Sequence, residues 1–311
     1  MQIITDIANA SKEPLAITVG FFDGVHRGHR FLIENLQKIA SEKGLKTTVI
    51  TFKEHPRKML NSDFIPELLT TCAEKVSLLE QTGIDYCYLL DFSPAIQNLT
   101  AEEFIKNLLF KQLNTKVLLS GYDNRIGKGR VDGFEQYVIY GQEVGLTVQK
   151  AEEFYYKGKQ VSSSEIRRLM DEGDFVIANQ LLGSTYRIEG KIVMGEQIGR
   201  TIGYPTANIS PSNLSKKIPP LGVYAVWITV AGIRYKGMLN IGLRPTLLPD
   251  NLKPTIEVNI IDFNHNIYGQ IITLEIVKKV RDEKRFSDMQ SLVNEIDKDK
   301  IQILNILEKY N

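Results

Sequence analysis

The chain has 311 residues with 38 basic and 37 acidic side chains, a formal net charge of +1, and is 43% hydrophobic and 24% charged. That length suits one large domain or two ordinary ones, and the near-neutral charge argues against a basic stripe for nucleic acid. The two cysteines, Cys72 and Cys87, stand in apolar stretches without a CxxC partner, the start MQIITDIANASKEP has no leader pattern, and no apolar run approaches the ~20 residues that span a bilayer. A cytoplasmic protein with neither a membrane nor a nucleic-acid partner is expected.

The first half alternates strand-like and helix-like segments. Leu15–Phe21 is an apolar run of strand length, and Leu32, Leu36 and Ile39 then recur at helical spacing across Arg30–Glu42. Lys46–Phe52 predicts a strand, Cys72–Thr82 a helix and Tyr86–Asp91 a strand. Thr100 followed by Glu103 is a capping box that opens a helix to Gln112. Lys116–Ser120 predicts a buried strand, Asp132–Gly145 a helix and Leu146–Lys150 an extended segment. This alternation predicts a parallel sheet with helices on both faces, whose ligands bind at the carboxyl ends of the strands.

Two short helices, Ser164–Asp171 and Phe175–Leu181, lead to Gly183, after which β-branched and aromatic runs dominate. Tyr186–Val193, Val223–Val230, Ile233–Ile241, Ile256–Ile261 and Ile271–Val280 predict strands, with Ala231-Gly232 as a tight hairpin turn. An amphipathic helix over about Ser287–Leu307 closes the chain, which predicts a small antiparallel barrel with a terminal helix. The change of rhythm divides the chain into domains 1–182 and 183–311.

In Gly20–His29, GFFDGVHRGH, a strand ends, two glycines permit a turn and a helix begins near Gly28. A helix start offers amides and a positive dipole end to phosphate, and an imidazole beside it can donate to phosphate oxygens. Two of the four histidines, His26 and His29, fall there. Taken alone, a glycine turn with two surface histidines accounts for the same ten residues.

HRGH resembles the HxGH signature of adenylyl- and cytidylyltransferases, and the longer string with Thr51-Phe52 and His55-Pro56 resembles the amino-terminal domain of bacterial bifunctional riboflavin kinase/FMN adenylyltransferases. Gly121-Tyr122-Asp123-Asn124-Arg125-Ile126-Gly127 is similar to that family's GxDFxFG loop, with Asn124 and Ile126 in place of phenylalanines. Ser162-Ser163-Ser164-Glu165-Ile166-Arg167 is similar to its SSTxIR motif, with Ser164 in place of threonine. The resemblance implies a Rossmann-like nucleotidyltransferase domain that transfers AMP from ATP to FMN, giving FAD and pyrophosphate. It implies that His26 and His29 hold the triphosphate, that Gly20, Phe21, Asp23 and Gly28 line the nucleotide, that Asp123 binds adenosine or the ribose, and that Ser163, Ser164 and Arg167 contact phosphates. Helix capping by the serines and a solvated face for Arg167 and Arg168 are the plainer alternatives.

The second half carries Gly195, Gly199 and Gly203 with Arg200 between them, running into Tyr204-Pro205-Thr206-Ala207-Asn208-Ile209. Thr206 and Asn208 present oxygen on one side of an extended segment, which a Mg²⁺ ion accepts; a proline turn is the plainer alternative. Together with Gly222-Val223-Tyr224, Asn240–Thr246 and Ile256–Phe263, with Asn259 where histidine is common, this order is similar to the riboflavin kinase domain of the same family. The resemblance implies that Glu257 acts as general base toward the ribityl 5′-hydroxyl. It further implies that Thr206 and Asn208 hold Mg²⁺ and ATP phosphates, that Gly195, Gly199, Arg200 and Gly203 form a loop over the nucleotide, and that Arg281 adjoins the flavin. Riboflavin, FMN, FAD and ATP are the ligands so implied. The alternatives are a live kinase beside a degenerate adenylyltransferase domain, and a flavin-binding regulator without turnover.

Overall fold

Five consecutive buried residues, Leu15–Val19, offer water no polar face, so their strand needs cover on both sides. The computed structural model describes residues 1–60, 63, 66–122, 124–195, 198–243 and 254–310. It divides into two compact units, Met1–Ser163 and Ser164–Asn311.

In the first unit, β1 (Gln2–Ile4), β2 (Leu15–Val19), β3 (Lys46–Phe52), β4 (Tyr86–Leu90), β5 (Thr115–Ser120) and β6 (Thr147–Lys150) form one sheet in the order β1-β4-β3-β2-β5-β6. Every pairing is parallel. Helix α1 (Arg27–Lys43) buries Ile33, Leu36 and Ala40 on one face, and α2 (Cys72–Glu80) adds Leu79 beside Ile33 and Val49. On the other face, Leu15, Ile17 and Val19 pack with Phe104, Ile105 and Leu108 and with Tyr137 of α3 (Phe134–Gln142). The expected doubly covered parallel sheet is therefore present. Winding runs outward from β2 in one direction and from β5 in the other, so the strand order reverses between them, and the crevice at their carboxyl ends is where such sheets take ligands.

The Thr100 capping box forms, with Thr100 Oγ1 accepting from Glu103 N at 3.1 Å and the Glu103 carboxylate accepting from Thr100 N at 2.9 Å. Past it, Phe104–Gln112 winds as a π-helix. The three-residue strand β1 and the hairpin β7 (Tyr155–Tyr156) with β8 (Lys159–Gln160) are too short for any periodicity to announce.

The second unit begins within α4 (Ser163–Asp171) and continues through α5 (Phe175–Leu182). Strands β9 (Tyr186–Val193), β10 (Ala207–Pro211), β11 (Gly222–Val230), β12 (Ile233–Leu243), β13 (Pro254–Ile260) and β14 (Ile271–Arg281) close an antiparallel barrel in the order β10-β13-β12-β11-β14-β9. Ala231 (φ 47°) and Gly232 (φ 83°) make the expected hairpin turn, both left-handed as a right-twisted hairpin prefers. The division by compactness falls at Ser163/Ser164, whereas the change of rhythm in the sequence lies at 182/183. Helix α5 joins the barrel through residues packed against its strands. Phe175 meets Tyr224 edge-on at 5.6 Å, and Asn179 donates to Ile276 O and accepts from Tyr186 N, each at 2.9 Å.

Helix α6 (Met289–Lys309) lays Ile303 and Leu307 over Val223, Ala225 and Trp227 of β11. Arg281, at the end of β14, locks it there: Nε and Nη2 donate to Asp299 at 3.1, 3.0 and 2.8 Å, with Asp299 only 5% exposed. Removing one partner of a buried bidentate pair strands the other charge. Asp299→Ala should destabilise the second unit by about 3 kcal/mol. Urea denaturation followed by the fluorescence of Trp227, the single tryptophan, checks this.

Candidate active sites

The chain leaves β2 through a turn that is left-handed at Phe22 (φ 56°), Gly24 (φ 83°) and Val25 (φ 39°). A β-branched residue in that region is strained, and such a shape persists only when its surroundings hold it. The segment before and into α2 does so. The Asp23 carboxylate, 3% exposed, accepts from Leu69 N at 2.9 and 3.0 Å, from Thr70 N at 3.0 Å and from Thr70 Oγ1 at 3.3 Å. Gly24 N donates to Thr70 Oγ1 at 2.9 Å. Lys75 Nζ donates to Phe21 O at 3.2 Å and Phe52 O at 2.6 Å, and lies 4.1 Å from the Phe21 ring centre. Thr51 Oγ1 adds a bond to Phe21 O at 3.0 Å, and the His55 ring meets Phe21 edge-on. Asp23 lies in the turn just past the end of β2, and its carboxylate accepts from main-chain amides that shape that turn.

His26 caps α1: its Nδ1 accepts from His29 N at 3.3 Å, so its proton sits on Nε2. The two imidazoles stack with centres 3.6 Å apart at 15°, and the Phe22 ring lies tilted against His29 with centres 4.9 Å apart. The His29 orientation is therefore set by packing, and its Nδ1 is buried without a hydrogen-bond partner among the described residues. Burial, then His26, then Lys75 hold the His29 imidazole well below its ordinary 6.5, so it is neutral at neutral pH and acts as a hydrogen-bonding group rather than a cation. A Cβ on Gly28 would stand 3.0 Å from Val161 O and 3.2 Å from the His26 ring, so the glycine is needed for close packing beneath the histidines. Gly20 N donates to Ile50 O at 3.0 Å and continues the sheet.

The loop after β5 reaches the same crevice. Asn124 Nδ2 donates to Val19 O at 2.5 Å, at the carboxyl end of β2. Ile126 is buried, and its N–H donates to Tyr137 Oη at 2.8 Å. Both departures from the family's phenylalanines thus have structural partners. Asp123 lies outside the described residues, as do Glu196, Gln197 and Arg244-Pro245-Thr246. Ser163 Oγ donates to Asp23 O at 3.0 Å. Ser164 and Arg167 follow in α4, on the far side of the division between the units. Arg168 is taken up by Glu165 and Glu172, a solvated helix face as the plainer reading has it.

In the barrel, Glu257 on β13 is directly opposite Asn208 on β10 and Asn240 on β12. Opposite residues share a face, so these three form a polar row, and Asn240 pairs onward with Val223, which pairs with Arg281. Ile256 and Val258, alternating with Glu257, are buried, as strand period requires. Thr206 Oγ1 donates to Glu257 Oε2 at 3.3 Å. A Cβ on Gly195 would fall 2.0 Å from Asn208 Nδ2, and one on Gly199 2.2 Å from Tyr204 O, so neither position has room for a side chain. Gly203 is left-handed (φ 83°) with open space around it. A cavity of ≈ 490 Å³ adjoins Thr206, lined among others by Arg200, Pro205, Phe263, His265 and Tyr268. Arg281 lies in the row's register, yet its guanidinium is engaged by Asp299.

Sequence reasoning passed over Lys75, Thr70, Asn240 and the cavity wall at His265. For Lys75 a signal existed: it shares a helix face with Leu79, four residues on, and a lysine at a core-facing position is unusual.

A parallel sheet with a strained turn into a helix at its switch point, and a six-stranded barrel with a carboxylate beside a Thr/Asn pair, are the architecture of a two-part nucleotide-using transferase. The family profile described as FAD synthetase matches residues 8–165, and that described as riboflavin kinase matches 182–307. The chain is 38% identical over 289 residues to the bifunctional riboflavin kinase/FMN adenylyltransferase of Bacillus subtilis (strain 168), covering 91% of this chain and 90% of that one. It is 35% identical over 306 residues to the Escherichia coli (strain K12) protein of the same name, covering 97% and 96%. The chain therefore belongs to the bifunctional riboflavin kinase/FMN adenylyltransferase family, and it is an enzyme with both activities. A solved structure titled macrolide-efflux protein, from Streptococcus pneumoniae, is similar at 30% identity and a TM-score of 0.86, covering 98% of each chain. Efflux is that title's word alone; among the described residues no helix of this chain is long and apolar enough to cross a membrane.

The depressed His29 has a stability consequence. The unfolded imidazole takes its proton near 6.5 and the folded one only well below, so between those values the unfolded state binds more protons and stability falls as pH falls. Hydrogen exchange of the β2 and β3 amides should show the first unit losing protection below about pH 6.5, and His29→Gln should lose less.

Proposed function

We propose that the two reactions run at the two constellations described, FMN adenylylation at the Gly20–His29 turn and riboflavin phosphorylation at Glu257. The observation that carries this is that each set of central residues falls within one compact unit: His26 and His29 in the first, Thr206, Asn208 and Glu257 in the second.

At the turn, an FMN phosphate oxygen attacks the α-phosphorus of ATP in line, the bond to pyrophosphate breaks, and no covalent enzyme intermediate is needed. Catalysis is then positioning and charge stabilisation. The positive end of α1 and the imidazoles of His26 and His29 receive the triphosphate. Gly20, Phe21 and Gly28 shape the floor, with Asp23 acting through the backbone it holds. The parts of Asp123, Ser164 and Arg167 rest on the motifs that contain them.

At the barrel, Glu257 accepts the proton of the ribityl 5′-hydroxyl and orients that oxygen toward the γ-phosphorus of ATP; the new O–P bond forms as the bond from the γ-phosphorus to the β,γ-bridging oxygen breaks and ADP leaves. Thr206 Oγ1, the Asn208 amide oxygen and the nearby carboxylate are hard oxygen donors, which fits Mg²⁺, and Thr206 and Asn208 would hold it together with the ATP phosphates. When bound, Mg²⁺ neutralises charge on the transferred phosphoryl group. Gly195, Gly199, Arg200 and Gly203 close over the nucleotide, and Arg281 stands at the flavin end of the row. On the two free cysteines and the near-neutral charge we place the enzyme in the cytoplasm without a nucleic-acid partner.

Incubation with riboflavin, ATP and Mg²⁺ should yield FMN and then FAD, resolved by chromatography. Glu257→Ala should reduce FMN formation at least ~100-fold while leaving FMN-to-FAD conversion intact, and His29→Ala should do the reverse. Loss of both activities from either variant in folded protein would refute two separate sites.

A further inference from the structure

We propose that Lys75 is a positioning residue for adenylyl transfer: its buried ammonium, bonded to the strand-end carbonyls of Phe21 and Phe52, holds the Gly20–His29 turn in the shape that receives the triphosphate. The inference rests on assigning adenylyl transfer to that turn.

Lys75 is 2% exposed and has the company of a core side chain, sharing its helix face with Leu79. Burying an ammonium is expensive, and a methionine of similar length would fill the space without that cost. What methionine cannot do is donate. Lys75 Nζ bonds the last carbonyl of β3, from Phe52, and the Phe21 carbonyl just past β2, so one cation ties together the carboxyl ends of two adjacent strands. It also lies against the face of the Phe21 ring, whose edge contact is His55. These contacts converge on the start of a turn whose backbone is left-handed at Phe22, Gly24 and Val25. Asp23 and Thr70 hold the middle of that turn, Lys75 holds its entry, and His26 and His29 stand at its exit.

The charge has a second effect. The groups facing Lys75 are Cys72 on its own helix, Asp23 in the turn, Cys87 on β4 and His29 on α1. Burial brings Lys75 down to about 8, against the pull of Cys72, Asp23 and Cys87, so most molecules keep the charge at neutral pH. With burial and His26, that charge keeps His29 neutral. Lys75 therefore holds the entry of the turn by hydrogen bonds and adds, after burial and His26, to what keeps the imidazole uncharged.

The test uses the full chain, with FMN-to-FAD and riboflavin-to-FMN conversion measured on the same preparations. Lys75→Met should lower kcat for FAD formation by about 10- to 100-fold with KM for FMN within about twofold, since a misplaced but intact site loses rate rather than ground-state binding. FMN formation should be unchanged, and the His29 titration followed by NMR should move upward. Wild-type kcat or an effect confined to KM overturns the inference, and an upward His29 titration supports it. If Lys75→Met unfolds the first unit, Lys75→Gln takes its place, keeping an N–H donor too short to bridge both carbonyls; a kcat loss of about tenfold with KM for FMN unchanged supports the inference and wild-type kcat overturns it. His29→Ala run alongside separates the two failures. If it too leaves FAD formation intact, the assignment of the turn is wrong; if it abolishes FAD formation while the Lys75 variant is normal, only the role of Lys75 falls.

Discussion

The Asp23 carboxylate, accepting main-chain N–H groups from Leu69 and Thr70, is the interaction on which the first unit's site depends. Between β2 and α1 the backbone must reverse within a few residues, and it does so through three left-handed positions, two of them not glycine. A strained turn of this kind needs contacts that over-determine it. The carboxylate supplies several at once, and the segment that answers it also delivers Thr70 to Gly24 and Lys75 to Phe21. With the turn so held, α1 begins at Arg27 with His26 as its cap, and His29 is packed against His26 and Phe22. Every later property of the site, including the neutral His29, follows from that placement.

The barrel solves a different problem. Its candidate groups come from three strands, and only register brings them level: Asn208, Glu257 and Asn240 lie opposite one another because β10, β13 and β12 pair as they do. A slip of one residue would turn Glu257 into the barrel and Ile256 or Val258 out of it. The α6 helix guards that register from outside, covering β11 and binding Arg281 through Asp299. The barrel site is thus built by pairing, whereas the first site is built by one turn and the segment that clamps it.

Much of this was legible in the chain. The strand Lys46–Phe52 and the strand Tyr186–Val193 lie where their residues put them, and the Thr100 capping box and the Ala231-Gly232 turn form as expected. These are short-range features, set by periodicity and by the chemistry of neighbouring residues. The edge strand β1 and the hairpin at Tyr155–Gln160 were not legible, because three or two residues carry no period. Nor was the coherence of α5 with the barrel, which comes from Phe175 and Asn179 meeting Tyr224 and Ile276, groups far along the chain and close only in space.

By itself the sequence determined the two motif sets, the alternation that makes one half a parallel sheet and the other a barrel, and the identity of His26, His29, Thr206, Asn208 and Glu257 as the groups to watch. The tertiary structure decided what each does physically. It gave the Asp23 carboxylate to the amides of Leu69 and Thr70, gave Arg281 to Asp299, placed Asn240 opposite Glu257, and buried Lys75 under the strand ends. The reason is the same in each case. A side chain's chemistry is local to the sequence, but its partners, burial and field come from residues far along the chain, and those are settled only when the sheet and the barrel have closed.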